Sequence, residues 1–168
     1  MKILALISLF SFLSFGEDNR GYKVKIGEEL PNIQLSLLDG TILNNKSLEG
    51  KVVVLQFTAS WCGVCRKEMP HLEKDVWQKY KDQDFILIGI DLKEDEQTVR
   101  KFIESTGVTY PIAIDKDGSL FDKFTLAKAG VTRNIVINKK GEIIFLTRLF
   151  KEKEFNQMID VIDSELKK

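Results

Sequence analysis

Cysteine is scarce in this chain. Of 168 residues only Cys62 and Cys65 carry thiols, and both fall in Trp61-Cys62-Gly63-Val64-Cys65. A framework of structural disulfides is excluded, because no further cysteine remains to staple any other segment. Histidine is scarcer still, with His71 alone. A structural zinc site takes four ligands, and one cysteine pair plus one histidine does not complete it, so no metal is expected. Charge of one sign is also missing. The 25 basic side chains match the 25 acidic ones, so no global field marks nucleic acid or an anionic membrane as a partner. Runs such as Lys93-Glu94-Asp95-Glu96 and Lys151-Glu152-Lys153-Glu154 mix signs and read as solvated helix starts. There is no internal repeat and no low-complexity tract. The chain is 43% hydrophobic, enough for one globular domain with its own core.

Long apolar runs are absent too. The longest, Ile3 to Phe15, falls short of the roughly 20 residues of a membrane span. It follows Lys2 and ends at Ser14-Phe15-Gly16, with small residues at the −3 and −1 positions of a cleavage site. This is the pattern of a secretory signal peptide over residues 1–16, leaving a domain of residues 17–168. An uncleaved membrane anchor is the alternative. Both place the domain outside the cytosol, in the periplasm or an equivalent compartment. In an oxidising compartment an idle thiol pair becomes a disulfide. A useful one must be driven, so an electron-exchange partner is expected.

Strand and helix signals alternate along the rest. Asn32 to Leu37 alternates apolar and polar, and Asp39-Gly40 then gives a hairpin signal before Thr41-Ile42-Leu43. Val52 to Phe57 and Phe85 to Ile90 read as buried strands. Cys62 to Lys81 carries a helical stripe of Met69, Leu72, Val76 and Tyr80. Gln97 to Thr106 reads as a helix stopped by Gly107, Tyr110 to Ile114 as a strand, and Ser119 to Ala129 as a short helix. Ile135-Val136-Ile137 and Glu142 to Leu146 flank a hairpin turn, and Phe155, Met158, Ile159, Ile162 and Leu166 mark a last helix. The expected fold class is α/β, a mixed central β-sheet flanked by helices.

The two thiols fall where a strand ends and a helix begins. Unpaired N–H groups and the helix dipole favour a thiolate there. Cys62 would attack a partner's disulfide. Cys65, one turn on and more buried, would resolve the mixed disulfide.

The stretch Phe57-Thr58-Ala59-Ser60-Trp61-Cys62-Gly63-Val64-Cys65-Arg66-Lys67-Glu68-Met69-Pro70 resembles the active-site region of thioredoxin-fold proteins. More closely, it resembles the exported TlpA/ResA-like thiol-disulfide oxidoreductases, relatives of the AhpC/TSA redoxins. The resemblance runs from about Gly27 to the last helix. It includes the N-terminal β-hairpin and the inserted strand-helix segment from Tyr110 to Phe124. It implies a thioredoxin-like fold and dithiol–disulfide exchange with protein partners, through a redox-active Cys62–Cys65 disulfide and no bound cofactor. Several members are reductants in cytochrome c maturation, fed by a membrane-embedded electron-transfer protein. A monomer is expected.

Single positions match or depart from that pattern. Trp61 matches the tryptophan beside the nucleophile, shielding the thiols or packing in the core. Gly63 and Val64 shape the groove, and their lack of a histidine tilts the expectation toward a reductant. Glu68 matches the acid that takes a proton from the resolving thiol; a solvated helix glutamate is the alternative. Gln56 stands where plain thioredoxins carry a buried aspartate. Pro70 matches a helix-kinking proline, and His71 reads as a surface or packing residue. Thr132 falls where the fold places a cis-proline, and Pro31, Pro70 and Pro111 are the only prolines. A cis bond at Val131-Thr132 would cost about 3 kcal/mol without proline. Thr132 adds a hydroxyl near the sulfurs, and Arg133 adds a charge there or faces solvent. Two other functions compete with a protein-disulfide reductase. A peroxiredoxin-type peroxidase lacks its Pro-x-x-x-Thr-x-x-Cys pattern here, with Leu55 where the proline belongs. A copper-binding module would need ligand geometry that His71, close to Cys62 in one helix, serves poorly.

Overall fold

The computed structural model describes residues 20–168, so the signal segment read over 1–16 lies outside the described residues. Along the chain come β1 (Gln34–Ser36), β2 (Ile42–Asn44), α1 (Asn45–Leu48), β3 (Val52–Thr58) and α2 (Gly63–His71). A π-helical stretch, Leu72–Trp77, leads into α3 (Gln78–Tyr80). Then follow β4 (Phe85–Leu92), α4 (Glu96–Thr106), β5 (Ile112–Asp115), α5 (Ser119–Phe124), β6 (Arg133–Ile137), β7 (Ile143–Leu146) and α6 (Glu152–Leu166).

β3 is buried at every position, as a strand apolar on both faces must be, and it takes the middle of a five-stranded sheet. The order is β5-β4-β3-β6-β7. β4 and β5 run parallel to their inner neighbours; β6 and β7 run antiparallel to theirs. β1 and β2 form a separate antiparallel hairpin, tied to the β5 edge by a bridge from Leu37 to Ala113. Side chains of β3 alternate between faces. Gln56 meets Glu68 of α2 on one face, and Phe57 meets Phe121 and Phe124 of α5 on the other. The sheet is thus covered on both sides. β4 and β5 approach so closely that a Cβ on Gly89 would lie 2.4 Å from Ile112 Cδ1. No helix among the described residues is long and apolar enough to cross a membrane.

Among the boundaries that differ from the sequence reading, three have a clear physical reason. The helix expected from Cys62 to Lys81 changes pitch after Pro70. Proline has no N–H to continue the ladder, and the chain passes into the wider π turn. The strand expected from Tyr110 begins at Ile112, past Pro111, which cannot donate to a ladder. The helix expected to reach Ala129 stops at Phe124. Thr125 is extended and bridges Tyr22, while Leu126 N–H donates to Gly21 O, so the N-terminal segment claims those residues. Gly107 stops α4 as expected, in a left-handed cap with φ 69°.

Candidate active site

The loop after β3 delivers Cys62 to the N-cap of α2, where its Sγ accepts a hydrogen bond from Cys65 N–H at 3.2 Å. The two cysteines form a disulfide with Cα atoms 5.3 Å apart. Cys65 is fully buried, and Cys62 is half-buried. Any negative charge on Cys62 therefore sits at the positive end of α2, beside an N–H that no helical carbonyl uses.

The loop is pinned from two sides. Ser60 donates from its N–H and its hydroxyl to Glu94, the latter at 2.6 Å. Arg66 donates to Ser60 O and Ser105 Oγ, each at 2.9 Å, and lies over the Phe102 ring of α4. Behind the loop Asp91 is buried, register partner of Thr58; burial and neighbouring Glu94 push its carboxyl up to about 8.

Beneath α2 lies a polar cluster in an otherwise apolar core. Glu68 is 1% exposed. Its Oε1 accepts from Asn134 Nδ2 at 2.8 Å and its Oε2 from Gln56 Nε2 at 3.2 Å. Tyr110 donates to Gln56 Oε1 at 2.8 Å, and Asn134 Nδ2 also reaches Thr147 Oγ1 at 3.0 Å. Burial pushes the Glu68 carboxyl up to about 7, against the pull of the two amide donors, with the charge of Glu154 adding to the rise. Glu68 is therefore not a solvated helix glutamate. Its Cα lies one turn past that of Cys65.

Trp61 is 66% exposed beside Cys62, so core packing is not its role. Gly63 is exposed, and Val64 is partly so. Thr132 sits against the disulfide, its Oγ1 3.1 Å from both Cys62 Sγ and Cys65 Sγ. The described residues contain no cis peptide bond; Thr132 instead adopts a left-handed conformation with φ 65°. Arg133 corrects the sequence reading, for it does not line the groove. It is 1% exposed, donates to Gly130 O and Arg20 O at 2.8 Å each, and stacks on the Tyr22 ring. A strand side chain that points into the chain's own N-terminal segment cannot meet a partner. His71 packs on Phe150 and faces Asp75 at 3.5 Å.

Sequence reasoning missed Asn134, Thr147, Tyr110, Glu94 and Arg148. Asn134 had a signal. Gln56 and Asn134 are polar interruptions of two buried strands, and they prove to be register partners. Arg148, whose Nη1 donates to Val131 O at 2.8 Å beside Thr132, left no such mark.

Comparison with known proteins agrees with this arrangement. The Redoxin family model matches residues 25–162. A relative from Halalkalibacterium halodurans, the thiol-disulfide oxidoreductase ResA, is 35% identical over 147 residues, covering 86% of this chain and 81% of its own. A solution structure from Bacteroides thetaiotaomicron, of a candidate protein disulfide isomerase, is 52% identical with a TM-score of 0.85, covering 88% and 94% of the two chains. A crystal structure from Chlorobium tepidum, of a candidate thiol:disulfide interchange protein DsbE, shares the fold at 23% identity with a TM-score of 0.72. It covers 85% of this chain and 99% of its own. The chain belongs to the Redoxin family and, within it, to the TlpA/ResA-like thiol-disulfide oxidoreductases of thioredoxin fold.

Proposed function

We propose that this protein is an exported reductant of disulfides in other proteins, recharged by a membrane-embedded electron donor, with maturation of c-type cytochromes as its setting. The observation that carries the reading is the pairing of Cys62, at the N-cap of α2, with a buried Glu68 behind Cys65.

In the dithiol form the Cys62 thiolate attacks a partner disulfide. A bond forms between Cys62 Sγ and one partner sulfur, and the other partner sulfur leaves as a thiolate that takes a proton from water. Cys65 then gives its proton to the Glu68 carboxylate and attacks Cys62 Sγ. The Cys62–Cys65 disulfide closes, and the second partner thiolate leaves. The partner gains two electrons and this protein loses two. Glu68 suits the proton step because its carboxyl titrates near 7, where both of its forms are populated. The exposed Trp61 and the groove at Gly63, Val64 and Thr132 receive the partner chain.

The test uses two serine variants with a disulfide-containing protein such as insulin. Cys62→Ser abolishes exchange, and Cys65→Ser accumulates a mixed disulfide through Cys62. Normal turnover by Cys65→Ser would remove Cys65 as the resolving thiol.

A further inference from the structure

Thr132 holds an unusual conformation for a β-branched residue. A left-handed φ crowds its Cβ, and such residues cost about 1–3 kcal/mol and persist only where the surroundings hold them. Here they do. Thr132 N–H donates to Phe57 O at 3.0 Å, and its carbonyl accepts from Leu149 N–H at 2.9 Å. Leu149 is itself left-handed, with φ 64°. On the other side the Arg148 guanidinium caps Val131 O. A glycine or asparagine would satisfy this backbone with less strain. What threonine adds is a methyl group and a hydroxyl, and the hydroxyl oxygen lies 3.1 Å from each sulfur. Neither sulfur of a disulfide carries a proton, so Thr132 is the donor.

We propose that Thr132 is a catalytic residue of the exchange, its hydroxyl donating a hydrogen bond to whichever of the two sulfurs carries the negative charge. In the dithiol form it joins the Cys65 N–H as a second donor to the Cys62 thiolate. Once Cys62 is tied to the partner, its sulfur is neutral. The hydroxyl then turns to Cys65 Sγ as that thiol loses its proton, without moving its oxygen. Thr132 keeps its own proton throughout; bonds and electrons change only among the sulfurs, as set out above. The inference rests on the reductase reading for the direction of flow, but the thiolate contact stands apart from it. Asp91, buried behind the loop, is a carboxyl with no hydrogen-bond partner among the described residues and offers a thiolate no donor in its charged form. The other charged groups around the loop are committed elsewhere. Arg66 is held on Ser60 and Ser105, Glu94 on Ser60, Arg148 on Val131, and Glu68 on Gln56 and Asn134.

The test compares the reduced wild type with Thr132→Val, which keeps the branch and the backbone strain but lacks the hydroxyl, and with Thr132→Ser, which keeps the hydroxyl. Iodoacetamide labelling of Cys62, followed by peptide mass across pH, reads the thiolate fraction without any partner. The valine variant moves the labelling midpoint up by about one pH unit, a tenfold loss of thiolate relative to thiol. The serine variant stays with the wild type. If valine fails to fold, Thr132→Ala supplies the same comparison. A midpoint unchanged without the hydroxyl, or shifted as far in serine as in valine, overturns the proposal. Insulin reduction by the wild type is scored separately. Its absence, with the labelling difference intact, would sink the reductase reading and leave Thr132 in place.

Discussion

At the scale of single residues, Glu68 is where burial becomes chemistry. A carboxyl sealed under α2 with two amide donors titrates near 7 rather than in the usual carboxylate range, because loss of water outweighs the hydrogen bonds. Below that pH Glu68 is protonated and cannot accept the Cys65 proton; above it the carboxylate can. The rate of partner reduction by the wild type should therefore rise through neutral pH. Glu68→Gln should lose that inflection and run slower on its alkaline side by on the order of a hundredfold. Steady-state rates across neutral pH check this, and an unchanged profile would remove Glu68 from the proton path. Arg133 shows the opposite lesson. Its neighbour touches the sulfurs, yet strand alternation turns Arg133 itself to the Tyr22 ring and the Arg20 carbonyl. Sequence adjacency to the site was legible; side-chain direction was not.

At the scale of elements, the sheet positions the chemistry. Gln56 of β3 pairs in register with Gly89 of β4 and Asn134 of β6, so the two amides that hold Glu68 lie side by side on neighbouring strands. Gly89 admits the Ile112 side chain where any Cβ would collide. Gly89→Ala should therefore destabilise the fold by about 1–3 kcal/mol through overpacking, read as a lower midpoint in urea with an unchanged slope. An unaltered midpoint would mean that Ile112 swings aside freely. Strand signals from Val52 and Phe85 were plain in the sequence because both segments are apolar on both faces. The hairpin around Asp39-Gly40 was plain because its turn residues are diagnostic. The end of α5 was not legible. Nothing in Thr125-Leu126 forbids a helix, and only pairing with Gly21 and Tyr22, about a hundred positions earlier, draws them into an extended form. The same limit hid the left-handed Thr132, which depends on bonds to Phe57 and Leu149.

At the scale of the whole molecule, the two raised carboxyls set a pH dependence. Glu68 titrates near 7 and Asp91 near 8 in the fold, against 4.5 and 3.8 as ordinary values. Between those limits the unfolded chain has released protons that the folded chain still holds, so stability falls as pH rises from about 4 to 8. The exposed carboxyls whose values are lowered, such as Asp95 and Asp117, act only below that window. Thermal midpoints should fall steadily from pH 5 to pH 8, and Glu68→Gln should flatten part of the slope; a midpoint rising over that range would contradict the burial of both groups. The fold thus keeps two proton-bearing acids close to a redox pair at some cost in neutral stability. The reduction potential of the Cys62–Cys65 couple, measured by equilibrating the domain with glutathione or dithiothreitol buffers, separates a reductant from an oxidant. A reductant gives a value near or below about −270 mV, the range of thioredoxin. A value near about −120 mV, the range of a strong oxidant, would contradict the reductant reading and make this protein a donor of disulfides.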